Sequence, residues 1–146
     1  MNKEKLKDDL KKVADISRDG VNGYEAAANN IEKDDVKTLF LRLAQQRKGF
    51  IAKLNDEALN LGFEISDSGT VKGFFHRTWL ATKSTFSSDT LKKVVEEAKT
   101  GEKKALEIYT DVLADPQVPD YIKATLEEQK KLIKGSIEQL EGLKAE

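Results

Sequence analysis

The chain has no cysteine, two prolines, one histidine, one tryptophan and one methionine among 146 residues. Without cysteine there can be no disulfide, no thiolate metal site and no thiol nucleophile, and a reducing compartment suits such a chain. Both prolines, Pro116 and Pro119, fall in one short connection, so the remainder is free to be helical. No run approaches the roughly 20 apolar residues of a membrane span, and the opening MNKEKLKDDL lacks the apolar stretch of a signal peptide. Neither sign of charge prevails. The 25 Lys plus Arg stand against 26 Asp plus Glu, and a net charge of -1 gives no global attraction to nucleic acid or an anionic membrane. We therefore expect a cytoplasmic protein of one domain over residues 1–146, with neither nucleic acid nor membrane as partner.

What the chain has is helical periodicity. Leu6, Leu10, Val13, Ser17, Gly20, Tyr24, Ala27 and Ile31 recur at alternating steps of four and three, which predicts a helix over about 3–32. Glycine on that stripe, at Gly20, predicts a closely approaching neighbour. Val36, Leu39, Phe40, Leu43, Phe50, Leu54 and Leu61 carry a second helix over about 35–61, with Asp34 or Asp35 as its cap. The turn-rich GFEISDSGT follows, then VKGFFHRTWLATKSTF, read as a short aromatic helix over about 70–86. Ser88 or Asp89 is expected to cap a third long helix over about 89–114, with Leu91, Val94, Ala98, Ala105, Ile108 and Val112 on its stripe. After the turn ADPQVPD, a fourth runs over about 117–144 through Ile122, Leu126, Gln129, Ile133, Leu140 and Leu143.

The second pair of helices echoes the first. LAQQRK at 43–48 aligns with LEEQKK at 126–131, and Gly20 aligns with Gly101, which makes Gln46 and Gln129 equivalent positions. Two equivalent hairpins joined by a long connection predict an all-α four-helix bundle with one long crossover, containing a short fifth helix.

The segment VKTLFLRLAQQRKGF resembles the second helix of rubrerythrin-type members of the ferritin-like superfamily. In that superfamily inward carboxylates and Glu-x-x-His pairs hold two metal ions, a donor set suited to iron or manganese. Aligned so, Glu-x-x-His falls on Arg47 to Phe50 and on Lys130 to Ile133; one residue earlier it falls on Gln46 to Gly49 and Gln129 to Leu132. Neither register contains histidine. The Gly-Glu of the first and third helices reads Gly20-Val21 and Gly101-Glu102, so one inward carboxylate remains, with Glu25 a turn away. SGTVKGFFHRTW at 68–79 resembles the crossover signature of a bacterial family of ferritin-like bundles of unknown function, often linked to stress. What the resemblance implies is the fold, with a degenerate di-iron site and no chemistry attached.

The expected central polar layer is Gln46, Arg47, Glu102, Gln129 and Glu25. The two glutamines are expected to bond each other, Glu102 or backbone, and the alternative for Arg47 and Lys130 is to run outward along their helix faces. His76, the lone histidine, has no nucleophile motif near it and is read as a hydrogen-bonding side chain or a pH-sensitive contact. Phe74, His76 and Arg77 are candidate interface residues, with Trp79 and Phe86 on the inward face of the same helix. The expected function is that of a metal-free, cofactor-free and non-catalytic bundle, acting through a homodimer or protein partner as an adaptor or small oligomer. The competing expectation is an enzyme or carrier that holds a metal or small molecule at the central polar layer.

Overall fold

A computed structural model describes residues 3–65 and 84–143. Every regular element among them is an α-helix: α1 Lys3–Ala28, α2 Asp34–Asn60, α3 Ser88–Leu113 and α4 Asp120–Glu141. Each helix buries one stripe. The buried positions of α1 include Leu6, Leu10, Val13, Ser17, Gly20, Tyr24 and Ala27, the same series that the sequence spaces at four and three. Such spacing averages 3.5 residues and lets long helices pack at a shallow angle without losing their seam.

The ends follow local chemistry. α1 stops at Ala28, four residues before its expected end, where Asn29-Asn30 opens a turn closed by Asn30 N–H to Ala27 C=O at 3.0 Å. Asparagine bonds its own backbone in turns and is a weak helix former. Lys33, and neither aspartate, stands at the cap position of α2, with Asp34 and Asp35 in the first turn, where their charge faces the positive end of the helix dipole. Gly62, at φ 86°, ends α2: Phe63 N–H reaches Ala58 C=O at 2.8 Å and Gly62 N–H reaches Leu59 C=O at 2.9 Å. Those two bonds form the Schellman closure, which needs a left-handed residue. Ser87, one residue before the expected cap, accepts from Thr90 N–H at 3.2 Å and starts α3. α4 begins only after Pro119, whose fixed φ sets the entry to the helix.

Contacts at the helix ends set directions. Phe86 N–H donates to Asn30 C=O at 2.8 Å, which brings the entry of α3 to the exit of α1. Lys5 lies 3.8 Å from Asp115, joining the opposite ends of the same two helices, so α1 and α3 are antiparallel. Thr125 donates to Glu57 at 2.5 Å, which puts the start of α4 beside the end of α2. α1 packs along α2 and α3 along α4, α1 meets α3 less extensively, and α2 meets α4 less again. The result is a four-helix bundle whose core runs from Leu6 and Leu10 through Tyr24, Phe40 and Leu43 to Ile122, Leu126 and Ile133, all nearly inaccessible. The expected helix over 70–86 lies outside the described residues except for 84–86, which are not helical and where Phe86 is buried.

Replacing Ser87 by alanine removes the one side-chain cap of α3. Urea unfolding is expected to show a loss of about 1 kcal/mol, and Ser87→Gly a smaller loss of a few tenths.

Candidate functional site

On α2 the alternation of four and three continues through Val36, Phe40, Leu43, Arg47, Phe50 and Leu54. Arg47 therefore occupies a core position, and its side chain is 1% exposed. A guanidinium there loses its hydration and must be repaid by a charge and by donors' partners. On α3 the same rhythm through Val95, Ala98, Glu102, Ala105 and Tyr109 delivers Glu102 to the same level, with a side chain 0% exposed.

The two meet as a bidentate pair. Arg47 Nη1 donates to Glu102 Oε1 at 2.6 Å and Nη2 to Oε2 at 2.9 Å. Tyr24 from α1 donates its hydroxyl to Glu102 Oε2 at 2.5 Å. Ser136 from α4 accepts from Arg47 Nη2 at 3.3 Å, and Arg47 Nε reaches Gln46 Oε1 at 3.2 Å. The single Ser136 hydroxyl proton lies between Gln46 Oε1 at 3.2 Å and the Leu132 carbonyl at 3.0 Å. Every helix of the bundle thus contributes to one buried cluster. The guanidinium also lies 5.2 Å from the centre of the Phe50 ring, within cation–π range. Tyr24 is held from the other side by an edge contact to Phe40 at 5.0 Å and 75°.

A second polar layer adjoins it. Tyr109 donates to Gln129 Oε1 at 2.6 Å, and Gln129 Nε2 reaches the backbone carbonyl of Phe50 at 3.4 Å. Phe50 therefore links the layers, its ring beside Arg47 and its carbonyl bonded to Gln129.

The electrostatics follow from burial. Desolvation, then the Glu102 charge, pushes the Tyr24 phenol well above its ordinary range. Burial alone would lower Arg47, but Glu102 together with Tyr24 and Tyr109 outweighs it and the net shift is upward. Burial also raises Tyr109, against an opposing hydrogen bond with Ser17. These tyrosines remain neutral donors and the guanidinium remains charged, so the layer neither takes up nor releases protons through them near neutrality.

The structure brings Gln46, Arg47 and Glu102 together, gives Gln129 the expected backbone partner in the adjoining layer, and corrects other parts of the expected layer. Gln46 and Gln129 bond different partners in different layers and do not pair. Arg47 turns inward; running outward would leave Glu102 a bare buried carboxylate. Glu25 is not in the layer: it is half-exposed and pairs with Lys48 at 2.7 Å, where water already solvates both charges. Lys130 is partly exposed beside Glu127 and Lys131. Tyr24, Tyr109 and Ser136 were not expected as functional polar residues, although each sits on its helix's four-and-three rhythm. Phe74, His76, Arg77 and Trp79 lie outside the described residues.

The cluster does not fit the di-metal centre that the resemblance implies. Both oxygens of Glu102 already accept charge-assisted bonds, and a cation placed beside them would face the guanidinium. Among the described residues no three His, Cys, Asp or Glu side chains converge as a metal-binding group. Nor is any helix among them long and apolar enough to cross a membrane.

Over residues 5–115 the sequence matches a family described as Domain of unknown function (DUF2383), and the chain belongs to that family. No curated protein matches it.

Removing one partner of the ion pair strands the other. Arg47→Met is expected to cost about 3 to 5 kcal/mol in urea unfolding. Arg47→Met with Glu102→Gln, which keeps an acceptor for Tyr24, is expected to recover most of that loss, because an uncharged pair carries no comparable desolvation penalty.

Proposed function

We propose that this DUF2383 chain is a non-catalytic, metal-free bundle of ferritin-like order that acts through protein contact, as an adaptor or small oligomer, in the stress setting its family resemblance implies. One observation carries the reading: a buried guanidinium sits where a catalytic bundle would need its cation, and it consumes the carboxylate that would hold one. The ferritin-like order is supported by the end contacts. α2 leaves at the end where α1 begins, and α3 enters where α1 ends, which is the order of helix ends that a long crossover joins.

A centre closed in this way leaves function to the surface. Between α2 and α4, Gly49 and Phe50 face Ala124 and Leu132 across an open apolar groove. Leu132 is 40% exposed and Tyr121, further along the same face of α4, 50%. Contiguous apolar residues on an outer face are what contact surfaces use. The charged outer faces elsewhere, such as that of α1, are ordinary solvated helix.

Metal analysis of protein purified without chelator, combined with light scattering of the wild type and Leu132→Asp, tests the reading. The expected result is no stoichiometric iron, manganese or zinc, and a lower mass or weaker partner retention for the variant at unchanged melting temperature. One metal per chain, lost on Glu102→Gln, would support the enzyme or carrier instead.

A further inference from the structure

Asp9 lies in α1, is 1% exposed, and is not part of the central cluster. Its Oδ1 accepts from Lys5 Nζ at 2.9 Å. Asp115, in the turn after α3, accepts from the Gln117 backbone N–H through Oδ1 at 2.9 Å, and its Oδ2 lies 3.8 Å from the same Lys5 Nζ. The Oδ2 atoms of both aspartates are buried, and neither has a hydrogen-bond donor among the described groups. The two carboxyl groups are themselves within hydrogen-bond reach of each other. Two facing acceptors can satisfy one another only if one of them carries a proton. A metal ion in that place would compete with the ammonium of Lys5, and only two carboxylates are at hand.

We infer that Asp9 and Asp115 share one proton beside Lys5, as an Oδ2–H···Oδ2 bond that fastens the start of α1 to the exit of α3 in mild acid and loosens as pH rises. Asp9 is the donor, since it is the more deeply buried of the two. Asp115 is the acceptor, since a backbone N–H already stabilises its carboxylate. The surrounding charges are few: Lys5 and Asp8 on α1 and Lys123 on α4.

The direction of the pH effect follows from both groups. Burial raises Asp9, so its contribution is fully present below the ordinary aspartate range and is lost as pH climbs through the raised value. The Gln117 bond and the Asp9 contact lower Asp115, whose contribution is present above the ordinary range and is lost as pH falls through the lowered value. The clasp is firmest between the two values. Above the raised value both carboxylates are charged, with the Lys5 ammonium close to both.

Carboxyl carbon NMR of the full chain reads the pair directly, and thermal unfolding of Asp9→Asn from about pH 4 to 8 reads its consequence. The expected results are an Asp9 midpoint above the ordinary aspartate range, which falls in Asp115→Asn, and a higher melting temperature for Asp9→Asn than for wild type at neutral pH. The asparagine amide would supply the bridging hydrogen at every pH and flatten the stability profile by up to about one proton. An Asp9 midpoint in the ordinary range, or an equal loss of stability in Asp9→Asn at both ends of the profile, would make Asp9 a plain ion-pair partner of Lys5 and overturn the inference.

Discussion

The Arg47–Glu102 pair is the constraint around which the bundle is arranged. Burying two opposite charges costs several kcal/mol per ion after relaxation, and their attraction offsets this only when the remaining donors and acceptors also find partners. Here those partners come from elsewhere in the chain: Tyr24 from α1, Gln46 from α2 and Ser136 from α4. An apolar core of similar volume could be as stable. A satisfied polar cluster adds geometric discrimination, because sliding any helix by one turn would withdraw a partner from a buried charge.

The second layer extends that discrimination. Tyr109 and Gln129 tie α3 to α4, and the Gln129 bond to the Phe50 carbonyl ties both to α2. α2 and α4 are thus also joined through polar groups: Gln46 with Ser136, Phe50 with Gln129, Glu57 with Thr125. The groove between them is lined by Gly49, Phe50, Ala124 and Leu132.

The helices were legible because their apolar stripes keep one rhythm, and the four-helix bundle follows from it. Helix ends were less legible, since Asn29-Asn30 and Pro119 set them by turn chemistry that a stripe does not register. The polar cluster was only half legible. Glu102 could be placed inward and Arg47 in the central layer, but the pairing was not legible, because a long cationic stem can equally reach water. The stricter alternation points to it. Steps of four and three through Leu43, Arg47 and Phe50, through Ala98, Glu102 and Ala105, and through Ile133, Ser136 and Leu140 select the residues that meet. Gln46 drew attention instead because of its repeat partner Gln129, yet repeat equivalence places two residues at matching levels without making them bond. The proton-sharing aspartates had no sequence signal, since Asp9 and Asp115 are brought together only by the antiparallel packing of α1 and α3.

On the proposed reading, the guanidinium of Arg47 stands where a redox or hydrolytic bundle would hold its metal. This central charge is fixed, covalently tethered and insensitive to metal supply, so the bundle is assembled as soon as the chain folds. Nitrogen-detected NMR of the Arg47 side chain, with and without manganous ion, tests this account most directly. The account predicts resolved Nη signals that exchange slowly with water and are not broadened by the paramagnetic ion. Averaged, rapidly exchanging Nη signals, or selective broadening of Arg47 and Tyr24 by manganese, would contradict it.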